Sequence, residues 1–142
     1  VKQAGKVSFC MNTVRETFQK SERLCSVKTI TSLFENGNVF YTKLFKIVWN
    51  KRPELIPFPA RVVFSVSKKS FRLTVTRNLL KRRMREAYRK NKHILYNFLK
   101  RENTGIVFAV IYRENTVSQY REIELSMKEM IDKLCVLIKE NG

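Results

Sequence analysis

Residues 61–86 read RVVFSVSKKSFRLTVTRNLLKRRMRE, and this stretch decides the fold. Arg61–Ser67 alternates: Val62, Phe64 and Val66 fall on one side, Arg61, Val63, Ser65 and Ser67 on the other. Period two with one apolar face predicts a half-buried strand with an accessible back. From about Thr76 to Arg101 the pattern becomes that of a helix. At about 100° per residue, Leu80, Met84, Ala87, Asn91, Ile94 and Phe98 gather on one side. Arg77, Asn78, Lys81, Arg85, Arg89 and Lys92 gather on another; Arg82 borders them and Arg83 points elsewhere. A two-faced helix next to such a strand calls for a sheet beneath it.

The flanks supply the rest of that sheet and its cover. Ile106–Tyr112 is an apolar strand, and Val39–Trp49 is aromatic and β-branched, so it too reads as strand. Trp49 is placed to anchor that strand in the core. Pro53, Pro57 and Pro59 make Lys51–Pro59 a connection. Upstream, Ser26 is a helix N-cap, Ile30, Leu33 and Phe34 are the apolar positions, and Gly37 is a left-handed stop. Downstream, Thr116-Val-Ser-Gln119 has the form of a capping box before the stripe Ile123, Met127, Met130, Ile131, Leu134, Ile138. The class is α+β, an α-β sandwich in the order α-β-β-(β)-α-β-α. Residues 1–16 have weak periodicity and read as a loosely ordered extension to one domain over 17–142.

Composition narrows the chemistry. The 142 residues carry 29 Lys and Arg against 12 Asp and Glu, a net charge of +17, with 44% apolar residues. That is enough apolar content for a core, unlike a disordered basic tail. No run is long enough to span a bilayer, and Val1–Ser8 has Lys2 and Lys6 but no apolar segment behind them, so neither a membrane association nor a secretory signal is expected. Cys10, Cys25 and Cys135 are odd in number and form no CxxC, which suggests reduced thiols in a cytoplasmic protein. His93 and Asp132 are the sole members of their types. No phosphate-binding glycine loop is present, and no cluster of side chains is suited to catalysis or to holding a metal. His93 reads as a partly exposed helix residue, not a general acid.

The charge is concentrated. Thirteen bases and a single acid, Glu86, lie between Lys68 and Arg101. Arg77, Lys81, Arg85 and Arg89 form an i, i+4 ladder of like charges, each pair costing a few tenths of a kcal/mol. A solvated face gains nothing from that arrangement, whereas a phosphate backbone offsets it, and arginine suits bidentate phosphate contacts. An anionic membrane is the rival partner, but the helix needs its apolar side to cover the sheet, so RNA or DNA is favoured.

The strand ending Val66-Ser-Lys-Lys69, followed by Arg77-Asn-Leu-Leu-Lys-Arg-Arg-Met-Arg85, resembles the protein component of bacterial ribonuclease P. Arg77, Asn78, Lys81, Arg82 and Arg85 match that family's R-N-R-x-K-R-x-x-R helix opening. Leu79 replaces its third residue, and Phe71-Arg-Leu73 stands where the family has a turn of small residues. The resemblance extends to Arg23-Leu-Cys-Ser26, to Leu33-Phe-Glu-Asn-Gly37 and to the closing helix. It implies a sandwich with a left-handed β-α-β crossover. It also implies a ribonucleoprotein that removes the 5′ leader of precursor tRNA, in which the RNA subunit is the catalyst, uses Mg²⁺ and needs no second protein.

By that likeness Lys68, Lys69, Arg77, Asn78, Lys81, Arg82, Arg85 and Arg89 face the catalytic RNA. Ile30, Phe34, Val48 and Arg61 line a cleft for the single-stranded leader, with Phe34 the stacking candidate. Plain core packing is the other reading of Ile30 and Phe34. A ribosomal or RNA-assembly protein is the alternative function, and a DNA-binding protein a third.

Overall fold

The computed structural model describes residues 22–24, 26–52 and 59–140. In order these form α1 (Val27–Asn36), β1 (Asn38–Tyr41), β2 (Phe45–Arg52), β3 (Ala60–Val66), α2 (Thr74–Arg101), β4 (Gly105–Tyr112) and α3 (Tyr120–Glu140). The four strands make one mixed sheet in the order β1-β2-β4-β3. β1 and β4 are antiparallel to β2, while β3 lies parallel to β4 and reaches it through α2. The expected α+β element order holds. The proposed extension over 1–16 and the positions of Cys10 and Cys25 lie outside the described residues.

Alternation assigns the two faces of the sheet. Phe40, Ile47, Trp49, Val62, Phe64, Phe108 and Val110 point to one side and pack under α2 and α3. The expected stripe of α3 is buried there in full, from Ile123 to Ile138. The opposite side carries a smaller apolar cluster, Val48, Val107 and Ala109, covered by Leu24 and by Leu33 of α1, with Ile30, Val63 and Ile111 partly buried at its edge. Cross-strand pairing arranges that side in rows: Val39–Val48–Ala109–Val63, and next to it Tyr41–Lys46–Ile111–Ser65. Arg61 and Val107 share the following row.

Four local expectations are corrected. Val39–Trp49 is a hairpin, broken where Thr42 Oγ1 accepts from Phe45 N at 3.2 Å and bonds Ser126 Oγ at 3.1 Å. Gly37 is extended (φ −76°, ψ 159°), not left-handed. Glycine is required there by proximity, since a Cβ would lie 2.5 Å from Leu33 O and 2.6 Å from Val48 Cγ1. α3 starts at Tyr120, three residues later than a cap at Thr116 would place it, because the buried Tyr112 hydroxyl holds the intervening loop. That hydroxyl donates to Thr116 O at 2.7 Å and accepts from Ser118 N at 3.0 Å. Finally, Ile94 is exposed and Tyr88, Leu95 and Leu99 are buried, because α2 packs on α3 as well as on the sheet and buries a wider arc than one stripe.

Candidate nucleic-acid interface

The basic surface begins at the turn before α2. Lys68 and Lys69 are exposed there, and Lys69 N donates to Ser67 Oγ at 3.1 Å. Phe71 is buried against Tyr112, with ring centroids 5.9 Å apart, and ties the loop to the core. α2 then starts with no side-chain cap and no acid in its first turn. Instead Arg77 Nη1 donates to Phe71 O and Arg72 O, both at 2.9 Å, and Nη2 to Thr74 Oγ1 at 3.1 Å. The guanidinium so placed organises the loop that bears the two lysines. Uncapped N–H groups and the positive end of the helix dipole add to the cationic field here.

One turn on, Asn78, Arg82 and Arg85 are exposed and Lys81 half-buried. Burial and the neighbouring Arg23 charge both lower the Arg85 pKa, as expected where two guanidinium groups crowd together. Arg23, Arg82, Arg85 and Arg89 line a shallow groove of about 640 Å³ with Leu79 and Tyr120. Arg83, expected to point elsewhere, lines this groove too, from the side of α3, where its Nη1 donates to Ser118 O at 2.6 Å and pins the loop before that helix. The expected acid-free ladder is relieved at one end, where Arg89 grips both oxygens of Glu86, at 2.6 and 3.1 Å. That hydrogen bond holds the Glu86 carboxyl below its ordinary range.

Lys92 does not belong to the basic face. It is 3% exposed and ion-paired to Glu22, itself 0% exposed. Tyr96 Oη donates to the same carboxylate oxygen at 2.5 Å, and burial raises the Tyr96 pKa. A charge taken out of water needs such partners. The pair fastens residues 22–24 to α2, and Leu24 N donates to Val62 O at 2.9 Å along the outer edge of β3. Sequence patterning missed Glu22, because its partner is 70 positions away.

The second site is the cleft beside α1. Ser26 caps this helix as expected, accepting from Thr29 N at 3.3 Å. Phe34 is 48% exposed, Ile30 half-buried, and Val63 and Ile111 half-buried on the sheet below. Val48 is 2% exposed beneath Leu33 and Gly37, so it forms floor and not wall. Arg61 is half-buried one row away. Val39 and Tyr41, unremarked in the sequence reading, stand exposed on β1; an aromatic on an edge strand was the available signal.

Among the described residues no group of three His, Cys, Asp or Glu could hold a metal ion, and no helix is long and apolar enough to cross a membrane. His93 is half-buried on α2, and Trp49 is in the core as expected. The family model for ribonuclease P matches residues 18–135. The chain belongs to this family.

Its similarity to ribonuclease P protein components is spread along the chain. The one from Porphyromonas gingivalis is 31% identical over 115 residues, 81% of this chain and 84% of the relative. The one from Petrotoga mobilis is 32% identical over 120 residues, 84% and 92% of the two chains. The solved RNase P protein of Staphylococcus aureus shares the fold, with TM-score 0.64 and 22% identity over 81% of this chain and 95% of that one. As a ribonuclease P protein component, this chain is part of an endoribonuclease of tRNA 5′ maturation.

Proposed function

We propose that the protein serves the ribonucleoprotein through two separate surfaces, one for the catalytic RNA and one for the substrate leader. The observation that carries this reading is the division of the molecule. Cations crowd the uncapped start of α2, whereas the α1 cleft lies on the opposite side of the sheet with an exposed aromatic at its rim. Lys68, Lys69, Asn78, Lys81, Arg82 and Arg85 meet RNA phosphates, while Arg77 and Arg89 frame them through bonds within the chain. Phe34 offers a stacking face to a leader base, Ile30 supports it and Arg61 stands near the leader phosphates. Val48 acts from below by supporting α1.

The protein contributes binding and placement, and the bond-breaking chemistry belongs to the RNA subunit. Mg²⁺ is held by that RNA in this reading, since the described acids do not assemble a cation site and Glu86, the one nearest the basic helix face, is engaged by Arg89. The reading places the protein in the cytoplasm with nascent precursor tRNA. Reconstitution tests it: the purified chain added to its cognate RNA should stimulate leader removal at limiting Mg²⁺. Absence of stimulation with a folded protein and an active RNA would overturn the proposal.

A further inference from the structure

Beyond the α1 cleft, among the described residues no other helix covers this sheet face as far as its β1 edge. Tyr41 stands on that stretch at 50% exposure, although an aromatic ring this size would ordinarily be drawn into the core. One face of the ring is already occupied. The Arg113 guanidinium lies over it, with Cζ 4.6 Å from the ring centroid. Arg113 is itself fixed, since Nη1 donates to Thr42 O at 2.8 Å and its backbone N to Leu44 O at 2.8 Å. The tyrosine is therefore held in place from one side, with half of its surface left to solvent.

Its surroundings match one kind of ligand. Lys46 is the direct cross-strand neighbour of Tyr41 on the same side of the sheet, and Ile111 follows in the same row. Val39, two residues earlier on β1, is also 50% exposed. A rigid aromatic backed by a guanidinium, beside a second cation and an apolar step, suits a nucleobase whose phosphate runs past the cations. A peptide adding to the β1 edge would use backbone groups and would leave the Tyr41 ring face unused.

We propose that Tyr41, backed by Arg113 and flanked by Lys46, is a stacking platform for a base of single-stranded RNA that has already passed the α1 cleft. The proposal rests on the reading that this side of the sheet takes the leader, and it adds a second base site to the one at Phe34. Only a leader long enough to cross from α1 to β1 reaches it.

The test uses the full chain in the reconstituted holoenzyme, with precursor tRNAs whose leaders are of graded length and mature tRNA as reference. Tyr41→Ala should lose about 5- to 150-fold in affinity for long leaders and be unchanged on short leaders and mature tRNA. Tyr41→Phe should bind as the parent does, because the ring and not the hydroxyl is used. Tyr41→Leu, which retains apolar bulk without a ring, should behave as Tyr41→Ala and serves in its place if that variant does not fold. With 2-aminopurine walked along the leader, one position should be quenched by the parent and released by Tyr41→Leu. Equal affinities for parent and Tyr41→Leu at every leader length, or an equal loss on mature tRNA, would overturn the platform. Failure of the parent itself to prefer precursor over mature tRNA would instead overturn the two-surface reading.

Discussion

The buried pair of Lys92 and Glu22 gives the sharpest test of how this chain is held together. Replacing Lys92 by Met removes the ammonium and leaves a carboxylate 0% exposed with the Tyr96 hydroxyl still donating to it. Replacing Glu22 by Gln leaves the ammonium without a counter-charge. Stranding a buried charge costs about 3–5 kcal/mol, and the Tyr96 bond puts Lys92→Met near the lower end. For a chain of this size that is a fall of roughly 10–15 °C in Tm. Combining Lys92→Met with Glu22→Gln removes both charges, so the double variant should recover most of the loss. The coupling read from the four proteins should be about 2 kcal/mol or more. Urea unfolding followed by Trp49 emission measures it, since the only tryptophan is 1% exposed in the core. Single variants within about 0.5 kcal/mol of the parent, or strictly additive losses, would refute the argument. Lys92 would then return to the solvated basic face, and residues 22–24 would not be fastened to α2.

The triple change of Lys81, Arg82 and Arg85 to alanine should leave the free protein no less stable, since it adds helix propensity and removes like-charge repulsion. The slope of log K against log salt for the catalytic RNA should shrink by about two to three units, and an unchanged slope would show that the face is merely solvated. Phe34→Ala should weaken binding of precursor tRNA by about 1–3 kcal/mol while sparing mature tRNA. Equal losses on both, or unfolding seen by circular dichroism, would return the ring to a packing role. Burial, with Asp132 adding to it, pushes the Cys135 thiol up to about 11. In a background with Cys10 and Cys25 replaced by serine, alkylation should be slow at neutral pH and half-developed only near pH 11, and a midpoint near 8.5 would contradict the placement.

What could be read directly was whatever depends on neighbours in the chain. The alternation of Arg61–Ser67 and the stripe of α3 announced their faces, because period two and period 3.6 are local properties. The hairpin between β1 and β2 was hidden, since Thr42-Lys-Leu44 offers no glycine, proline or asparagine and its turn relies on Ser126 from α3. Lys92 resembled its basic neighbours for the same reason: the carboxylate that claims it comes from a distant segment. On the candidate interface, position along α2 identified which residues are basic but not which are already employed. Arg77, Arg83 and Arg89 each have an internal acceptor, at Phe71 O, Ser118 O and Glu86 respectively.

The absent side chain at Gly37 also determines what can be adjusted in the cleft beside α1. Backbone meets side chain there without clearance, so α1 is seated on Val48 as on a mechanical stop. Sliding the helix closer is barred by contact, and lifting it would empty the apolar space under Leu33. The gap between helix and sheet is therefore a fixed gauge, and any change in what the cleft can accommodate must come from the side chains along its rim.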